Sequence, residues 1–145
     1  MLTEEEIQKG IATALETKVH AFAYKSEHPV GAAVISLDGE SFGGCNVESP
    51  ISGLGKCAEQ CAIMHAVIHG HYEFKALVVV STGSIVPCGE CLEFLATFSQ
   101  INGLDIPIIL ANESGQYEKT SLLTLLPHPY FTLDGLEKIQ AFKQS

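Results

Sequence analysis

Two short segments of the chain carry the residue types best suited to metal chemistry. CAEQC contains Cys57, Glu59 and Cys61, and PCGEC contains Cys88 and Cys91. Cysteine thiolates are good zinc ligands, and a C-x2-C pair can bring two of them to one ion at the first turn of a helix. Buried thiols also pack as small hydrophobic groups, so the C-x2-C pair alone leaves the two interpretations even. The first segment must therefore decide between them.

Two zinc arrangements are compatible with these cysteines. Cys57 and Cys61 are spaced i, i+4, so on a regular helix both face one side and could complete a closed structural site with the C-x2-C pair. In the open alternative, Cys57 is the third ligand beside that pair, water takes the fourth position, and Cys61 is a core thiol. Glu59 favours the open site, because a bound water needs a proton carrier and a closed site has no use for one. Out of this context, Glu59 would be interpreted as a solvated residue favoured by the helix dipole.

The elements that must position these residues begin with a helix and a hairpin. Thr3 with Glu6 has the form of a capping box, and the apolar residues that follow recur at helical spacing. These apolar residues are Ile7, Ile11, Ala14, Leu15, Val19 and Phe22. Two apolar runs then flank Asp38-Gly39, a strong hairpin signal that predicts two antiparallel strands.

The rest of the chain alternates between helical and strand patterns. The predicted elements are a buried helix over residues 58–68, a central strand over 76–82, a helix over 90–98, a strand over 106–111, an edge strand near 116–120, a short turn capped by Ser121 and a terminal helix over 136–142. This order, α-β-β-α-β-α-β with an added edge strand, predicts an α/β fold in which helices cover a mixed sheet. Both cysteine segments lie where helices begin, so two helix N-termini are expected to converge on one site.

Length and composition limit the class of protein. With 145 residues, 46% of them hydrophobic, the chain is long enough for one cored domain and short for two, so a single domain over residues 1–145 is expected. The acidic, polar start lacks the features of a secretory signal, and no apolar run approaches the length of a membrane span. Five cysteines, an odd number, then indicate reduced thiols and a cytoplasmic protein.

The charge of the chain argues against polyanionic partners. Its net charge is −9, from 17 acidic and 8 basic residues, and every basic residue is lysine. Nucleic acid is held mainly by clustered lysine and arginine, so neither DNA nor RNA is expected as a partner. Arginine also binds phosphate through paired hydrogen bonds, and its absence from the sequence disfavours a phosphorylated substrate. A neutral or cationic small molecule fits better.

The two cysteine segments also form one longer pattern. C-x-E followed about 30 residues later by P-C-x-x-C is typical of zinc deaminases, in which the glutamate is a general acid and base and not a ligand. The chain resembles the cytidine deaminase family, in its small homotetrameric branch, to which the blasticidin-S deaminases are related. The resemblance is carried by HPVGAAV (28–34), GCNVES (44–49), CAE (57–59), VPCGEC (86–91) and LLPHPY (125–130). It implies a three-layer α-β-α sandwich with a mixed five-stranded sheet, assembled as a homotetramer.

The resemblance implies roles for residues at the metal. Cys57, Cys88 and Cys91 would bind one zinc ion per subunit. Glu59 would carry protons between the zinc-activated water, ring nitrogen N3 and the departing amine. The backbone at Ala58 would contact the cytosine base.

Residues outside the cysteine segments would hold the nucleoside. By the same resemblance, Asn46 and Glu48 would hydrogen-bond the ribose, and Tyr130 would stack on the base. His28 stands where the family usually has phenylalanine near the base, and it could donate a hydrogen bond or simply pack. Ser52 stands where the family often has a tyrosine that reaches a neighbouring subunit. Both differences bear on the choice of substrate.

One departure from the family pattern concerns the charge at the metal. Three thiolates on Zn²⁺ leave a net charge of about −1, which opposes ionisation of the bound water. Family members with three cysteines usually offset this charge with arginines, at the positions of Gln60 and Leu92 in this chain. Compensation is then expected from the two helix N-termini and from Lys56.

The expected activity is the zinc-dependent hydrolytic deamination of a free cytosine nucleoside, cytidine or deoxycytidine, to the uracil nucleoside and ammonia, as in pyrimidine salvage. Two alternatives stay open. Glu90 and Glu93 could attract the cationic tail of a blasticidin-S-type antibiotic, although the spacing from Asn46 to Cys57 is that of cytidine deaminases. In the other alternative, a non-enzymatic domain holds a structural zinc through the four cysteines of the two segments.

Overall fold

The computed structural model describes residues 1–83, 85–131 and 134–144. Its elements in chain order are α1 (Glu4–Lys18), β1 (Gly31–Ser36), β2 (Ser41–Cys45), α2 (Ala58–Ile68), β3 (Phe74–Val80), α3 (Gly89–Ser99), β4 (Pro107–Ala111), β5 (Tyr117–Ser121), α4 (Leu122–Leu125) and α5 (Leu136–Gln140). The predicted order is confirmed, including the edge strand. None of the helices in these described ranges is long and apolar enough to cross a membrane.

The five strands form one mixed sheet in the order β2-β1-β3-β4-β5. β3 and β4 are parallel and are joined through α3, because parallel neighbours need a crossover connection. The other neighbouring pairs are antiparallel. The β1–β2 hairpin turns at Asp38-Gly39, as predicted, and Gly39 adopts a φ of 88° that glycine accepts without steric cost.

Helices cover both faces of this sheet. Successive side chains of a strand point to opposite faces, so neighbouring residues of β1 and β3 enter two different cores. Val34 and Leu77 pack in the core formed with α2 and α3. Ile35 and Val78 pack in the core formed with α1. The predicted three-layer α-β-α sandwich is therefore confirmed.

The first helix begins as predicted and ends earlier than its apolar pattern indicated. Thr3 Oγ1 accepts a hydrogen bond from the backbone of Glu6, and the Glu6 carboxylate accepts one from the backbone of Thr3, which completes the capping box. The helical spacing continues to Val19 and Phe22, but these residues lie beyond the helix and are 77% and 55% exposed. The extension was wrong because Phe22 instead exchanges backbone hydrogen bonds with residues 46 and 48, each 2.9 Å long.

Close contact between β2 and α2 positions the helix that carries Cys57 and Glu59. A Cβ atom added to Gly44 would lie 2.3 Å from the backbone N of Ala62 and 2.5 Å from the backbone O of Ala58. Real Cβ atoms do not approach backbone atoms this closely, so only glycine allows the strand and the helix to pack at this distance. Gly44 thereby helps to determine where α2 begins relative to the sheet.

We expect Gly44→Ala to destabilise the metal-free protein by about 1–3 kcal/mol, because the added methyl group must push α2 away from β2. Gly89→Ala is the matched control, since its Cβ would meet no atom within 4 Å. The control should change the free energy of unfolding by less than about 0.5 kcal/mol. Urea denaturation of both variants measures the difference. Equal stabilities would contradict the proposed constraint.

Candidate metal centre and active site

The candidate site lies at one edge of the sheet. Gly31, the first residue of β1, pairs with Cys45 at the end of β2 and with Val80 at the end of β3. The chain therefore leaves β2 and β3 at the same edge, and α2 and α3 follow these strands. Cys57 is the N-cap residue of α2 and Cys88 is the N-cap residue of α3. Cys57 thus lies one position before Ala58, the first helical residue of α2.

Three sulfur atoms meet where these helices begin. The Sγ atoms of Cys57, Cys88 and Cys91 all lie within 4.8 Å of one another, and those of Cys88 and Cys91 are 3.4 Å apart. Sulfurs bound at about 2.3 Å to a tetrahedral zinc ion lie about 3.8 Å apart, so the cluster fits zinc with small adjustments. Within the described residues, Cys61 does not belong to this group. The arrangement is that of the open, three-cysteine site.

The thiols of the cluster are linked by hydrogen bonds. A hydrogen bond with Cys91 lowers the pKa of Cys57 to about 7, and the same hydrogen bond raises the pKa of Cys91. Metal ligands must be deprotonated, so a metal ion bound here would replace these protons. The donor set, three mutually close sulfurs, has the chemistry that zinc prefers.

Both N-cap cysteines lie at the positive ends of helix dipoles. Neither side chain accepts a capping hydrogen bond, while the backbone O of Cys57 and that of Cys88 accept the first hydrogen bonds of α2 and α3. Free backbone N–H groups at a helix start stabilise negative charge nearby. The two helices can therefore offset part of the charge of the thiolates, as expected from the sequence.

Glu59 is buried beside the sulfur cluster. It lies in the first turn of α2, and the residue is only 6% exposed. Burial raises the pKa of its carboxyl group, while hydrogen bonds with its own backbone and with Cys91 act in the opposite direction. A solvated helix-terminal residue would be exposed, so that interpretation is excluded. A raised pKa favours the protonated form of the carboxyl group, which a general acid and base must adopt during part of its cycle.

Asn46 and Glu48 hold the loop that precedes β1. The Asn46 side chain accepts a hydrogen bond from the backbone N of Val30 at 2.9 Å and donates one to the backbone O of His28 at 3.0 Å. The Glu48 carboxylate accepts hydrogen bonds from the backbone N atoms of residues 25 and 26 and from the Ser26 hydroxyl. These bonds lower the pKa of Glu48. The sequence did not predict this loop-holding role, which leaves each side chain with further hydrogen-bonding capacity.

The other three predicted substrate contacts, His28, Ala58 and Tyr130, lie in different environments. His28 Nε2 is buried and has no hydrogen-bond partner in the described part of the chain. Ala58 is the first residue of α2, where the backbone N–H has no acceptor within the helix. Tyr130 is 75% exposed, and its backbone N donates to the Glu93 carboxylate at 3.2 Å. A role in substrate binding stays a prediction for all three.

A cavity of about 490 Å³ lies along α3, with none of the three cluster cysteines among its lining residues. Tyr130, the predicted stacking residue, and two carboxylates lie on its wall. The cavity is lined by Gln60, Glu90, Glu93, Phe94, Thr97, Gln100 and Tyr130. Gln60 also contacts Cys91, so one lining residue of the cavity touches a candidate zinc ligand. In the sequence, Gln60 stood out only because the family usually has arginine at this position. Nothing in the sequence indicated its contact with Cys91.

A second group of potential ligands lies at the β1–β2 turn. One ligand atom each of Asp38, Glu40 and His71 lies within 4.8 Å of the others. No spacing in the sequence indicated this group, because the antiparallel sheet brings the turn beside the residue that follows α2. Within the described residues, His65 and His69 lie outside this group and pack against Phe42. The Nδ1 atom of each lies within 2.9 Å of a backbone carbonyl oxygen.

Comparison with known proteins gives a consistent result for sequence and fold. The model of a family described as the cytidine and deoxycytidylate deaminase zinc-binding region matches residues 4–103. A cytidine deaminase from Sporosarcina psychrophila is 38% identical over 124 residues, which are 84% of this chain and 89% of the relative. A blasticidin-S deaminase from Bacillus cereus is 30% identical over 115 residues, 72% of this chain and 79% of the relative. The crystal structure of a cytidine deaminase from Burkholderia pseudomallei matches with a TM-score of 0.78 at 33% identity, over 89% of this chain and all of that chain.

Substitution of single cysteines tests which sulfurs bind the metal. We expect the wild-type protein and Cys61→Ala to bind one zinc per chain, since the Cys61 thiol lies outside the cluster. Cys57→Ala should lower zinc affinity by about 100-fold or more, because only two sulfurs of the cluster remain. Zinc content after dialysis and competition with a chromophoric chelator measure both effects. Loss of the metal in Cys61→Ala would establish the closed four-cysteine site instead.

Proposed function

Since the chain belongs to the cytidine and deoxycytidylate deaminase family and is a zinc-dependent hydrolytic deaminase, we propose that it acts on a free cytosine nucleoside. The substrate is cytidine or deoxycytidine, and the products are the uracil nucleoside and ammonia. The observation that carries the proposal is the three-sulfur cluster with a buried glutamate beside it. Such an arrangement suits a metal-activated water and a single proton carrier.

Cys57, Cys88 and Cys91 hold the zinc ion in this proposal, and Glu59 moves the protons. Bound zinc supplies Lewis-acid activation of the attacking water. Glu59 accepts one proton from that water and transfers it to ring N3; it then accepts the second proton, from the hydroxyl group added at C4, and passes it to the departing amine. The C4–O bond forms and the C4–N4 bond breaks, so one water is consumed and one ammonia is released. The buried environment of Glu59 supports this role because it keeps bulk water from the carboxyl group.

The nucleoside contacts in this proposal come from the resemblance to the cytidine deaminase family. We assign Asn46 and Glu48 to the ribose and the free backbone N–H of Ala58 to the base. The loop held by Asn46 and Glu48 includes His28, whose buried Nε2 atom has unused hydrogen-bonding capacity among the described residues. Tyr130 is assigned to stacking on the base. Tyr130 lines the same cavity as Gln60, which contacts Cys91, and this supports the assignment.

The two alternatives receive less support. A closed structural site needs Cys61, which is absent from the sulfur cluster within the described ranges. The blasticidin-S deaminase shares 30% identity with the chain over 115 residues, whereas the first cytidine deaminase shares 38% over 124 residues. We therefore propose cytidine or deoxycytidine as the substrate, in preference to a blasticidin-S-type antibiotic.

Assembly and cellular context belong to the same proposal. We infer that residues 1–145 form one domain that assembles as a homotetramer and serves pyrimidine salvage in the cytoplasm. Large apolar side chains in the segments that precede Cys57 and Cys88 are strongly exposed in the single chain, and assembly would cover them. They include Ile51 at 61%, Leu54 at 59% and Val86 at 48% exposed. Five cysteines in a chain of this length suit a reducing compartment.

Glu59→Gln tests the proton carrier. We expect the variant to retain zinc and to lose turnover by about 10²–10⁴-fold, because the amide cannot accept and return a proton. Glu73→Gln is the matched control, since Glu73 is a buried glutamate, 2% exposed, that hydrogen-bonds Asn102 outside the site. Zinc content and initial rates measure both variants. Turnover in Glu59→Gln equal to that of the control would remove Glu59 from the mechanism.

A direct comparison of substrates tests the nucleoside assignment. With one zinc bound per chain, cytidine and deoxycytidine should lose the cytosine absorbance on incubation with the enzyme. Blasticidin S should show a kcat/KM at least about tenfold lower, which corresponds to about 1.4 kcal/mol of transition-state binding. A preference for blasticidin S would reverse the assignment. Failure of all three compounds with the zinc-loaded protein would refute it.

A further inference from the structure

Gln60 is a buried polar residue in contact with the metal centre. It lies in the first turn of α2, directly after Glu59, and is only 7% exposed. Its Nε2 atom lies 3.5 Å from the Sγ atom of Cys91 and 3.3 Å from the Oε1 atom of Glu90. The side chain therefore links a candidate zinc ligand to a carboxylate in the first turn of α3.

The two contacts determine which end of the amide faces the sulfur. A glutamine amide nitrogen carries two hydrogens, and a thiolate and a carboxylate can only accept them. One hydrogen is directed to Cys91 and the other to Glu90. A flipped amide would point its oxygen at two electron-rich groups, so the hydrogen-bond network itself selects the donor orientation. Gln60 is thus a neutral donor held between two acceptors.

We propose that Gln60 is a positioning residue for the metal centre: its amide donates a hydrogen bond to the Cys91 thiolate, and Glu90 holds the amide in that orientation. The inference rests on the proposed assignment of Cys57, Cys88 and Cys91 as zinc ligands. A hydrogen bond withdraws electron density from the sulfur and orients its lone pairs without adding a charge. Outer partners of this kind typically change metal affinity or activity by about 10–100-fold.

The surroundings make this donor more important than it would be in a cationic site. Leu92, the residue after Cys91, is 5% exposed and packs in the hydrophobic core. Its side chain has no polar atom that could donate a hydrogen bond to the sulfurs. Glu90 and Glu59 add carboxylates near the three sulfurs. The Gln60 amide separates Glu90 from Cys91, so that two electron-rich groups share a donor and do not face each other directly.

The test uses two substitutions that keep the volume of the side chain. Gln60→Leu removes the donor, and Gln60→Glu replaces it with an acceptor that repels both neighbours. We expect zinc affinity to fall by about 10–100-fold in Gln60→Leu and by more in Gln60→Glu. Competition with a chromophoric chelator measures the affinity. Because glutamate is favoured in the first turn of a helix, Gln60→Glu keeps the test available if Gln60→Leu does not fold.

A spectroscopic readout separates a hydrogen bond to sulfur from a general structural effect. In the Co²⁺-loaded proteins, loss of the donor raises the energy of the sulfur lone pairs, so the sulfur-to-cobalt charge-transfer band should move to lower energy in both variants. Asn102→Leu is the matched control, because the Asn102 amide also donates to a carboxylate, that of Glu73 at 3.0 Å, outside the site. Its affinity should stay within about twofold of the wild type, with an unshifted band.

The outcomes distinguish this inference from the proposed function. Absence of zinc binding in the wild-type protein would overturn the function and the inference together. If the wild type binds one zinc per chain and deaminates cytidine, but the folded Gln60 variants keep its affinity and its charge-transfer band, only the role of Gln60 is overturned. Lower affinity with shifted bands in the Gln60 variants, and neither change in Asn102→Leu, supports the inference.

Discussion

The meeting of two helix N-termini at one edge of the sheet is the constraint on which the site depends. α2 and α3 follow strands that end at the same edge, and their N-cap residues, Cys57 and Cys88, bring the cluster of three sulfurs within 4.8 Å. Neither helix could form the cluster alone, because Cys57 belongs to the start of α2 and the other two sulfurs to the start of α3. Packing against the sheet sets the distance between the two helices. The close contact of Gly44 with α2 shows how little space that packing leaves.

The same constraint concentrates negative charge in a chain that has few cations to offset it. The net charge is −9 and the sequence contains no arginine. Three sulfurs and the buried carboxyl group of Glu59 meet at one point, so the stabilisation must come from dipoles and hydrogen-bond donors. Helix N-termini and the Gln60 amide are such groups. In the proposed site the thiolates would bind the metal, and these oriented neutral donors would offset part of their negative charge.

Local patterns predicted much of the fold, and their failures have physical causes. The capping box of Thr3 and Glu6 and the turn at Asp38-Gly39 are interactions between close neighbours in the chain, so the sequence was enough to locate them. The predicted end of α1 was wrong, because Phe22 forms backbone hydrogen bonds with a segment more than 20 residues away and is not part of the helix. Helical spacing reports a possible helix face and carries no information about a competing partner.

Residue types and spacing were enough to select the chemistry of the site. They predicted that Cys57, Cys88 and Cys91 lie together, which is confirmed, with Glu59 beside them and Cys61 apart. Contacts between distant segments settled what spacing could not. Asn46 and Glu48 hold the loop before β1, and Gln60 reaches across to Cys91 on another helix. The physical reason is one of range: spacing along one helix decides which side chains share its face, whereas the distance between two helices is set by the sheet and the cores that separate them.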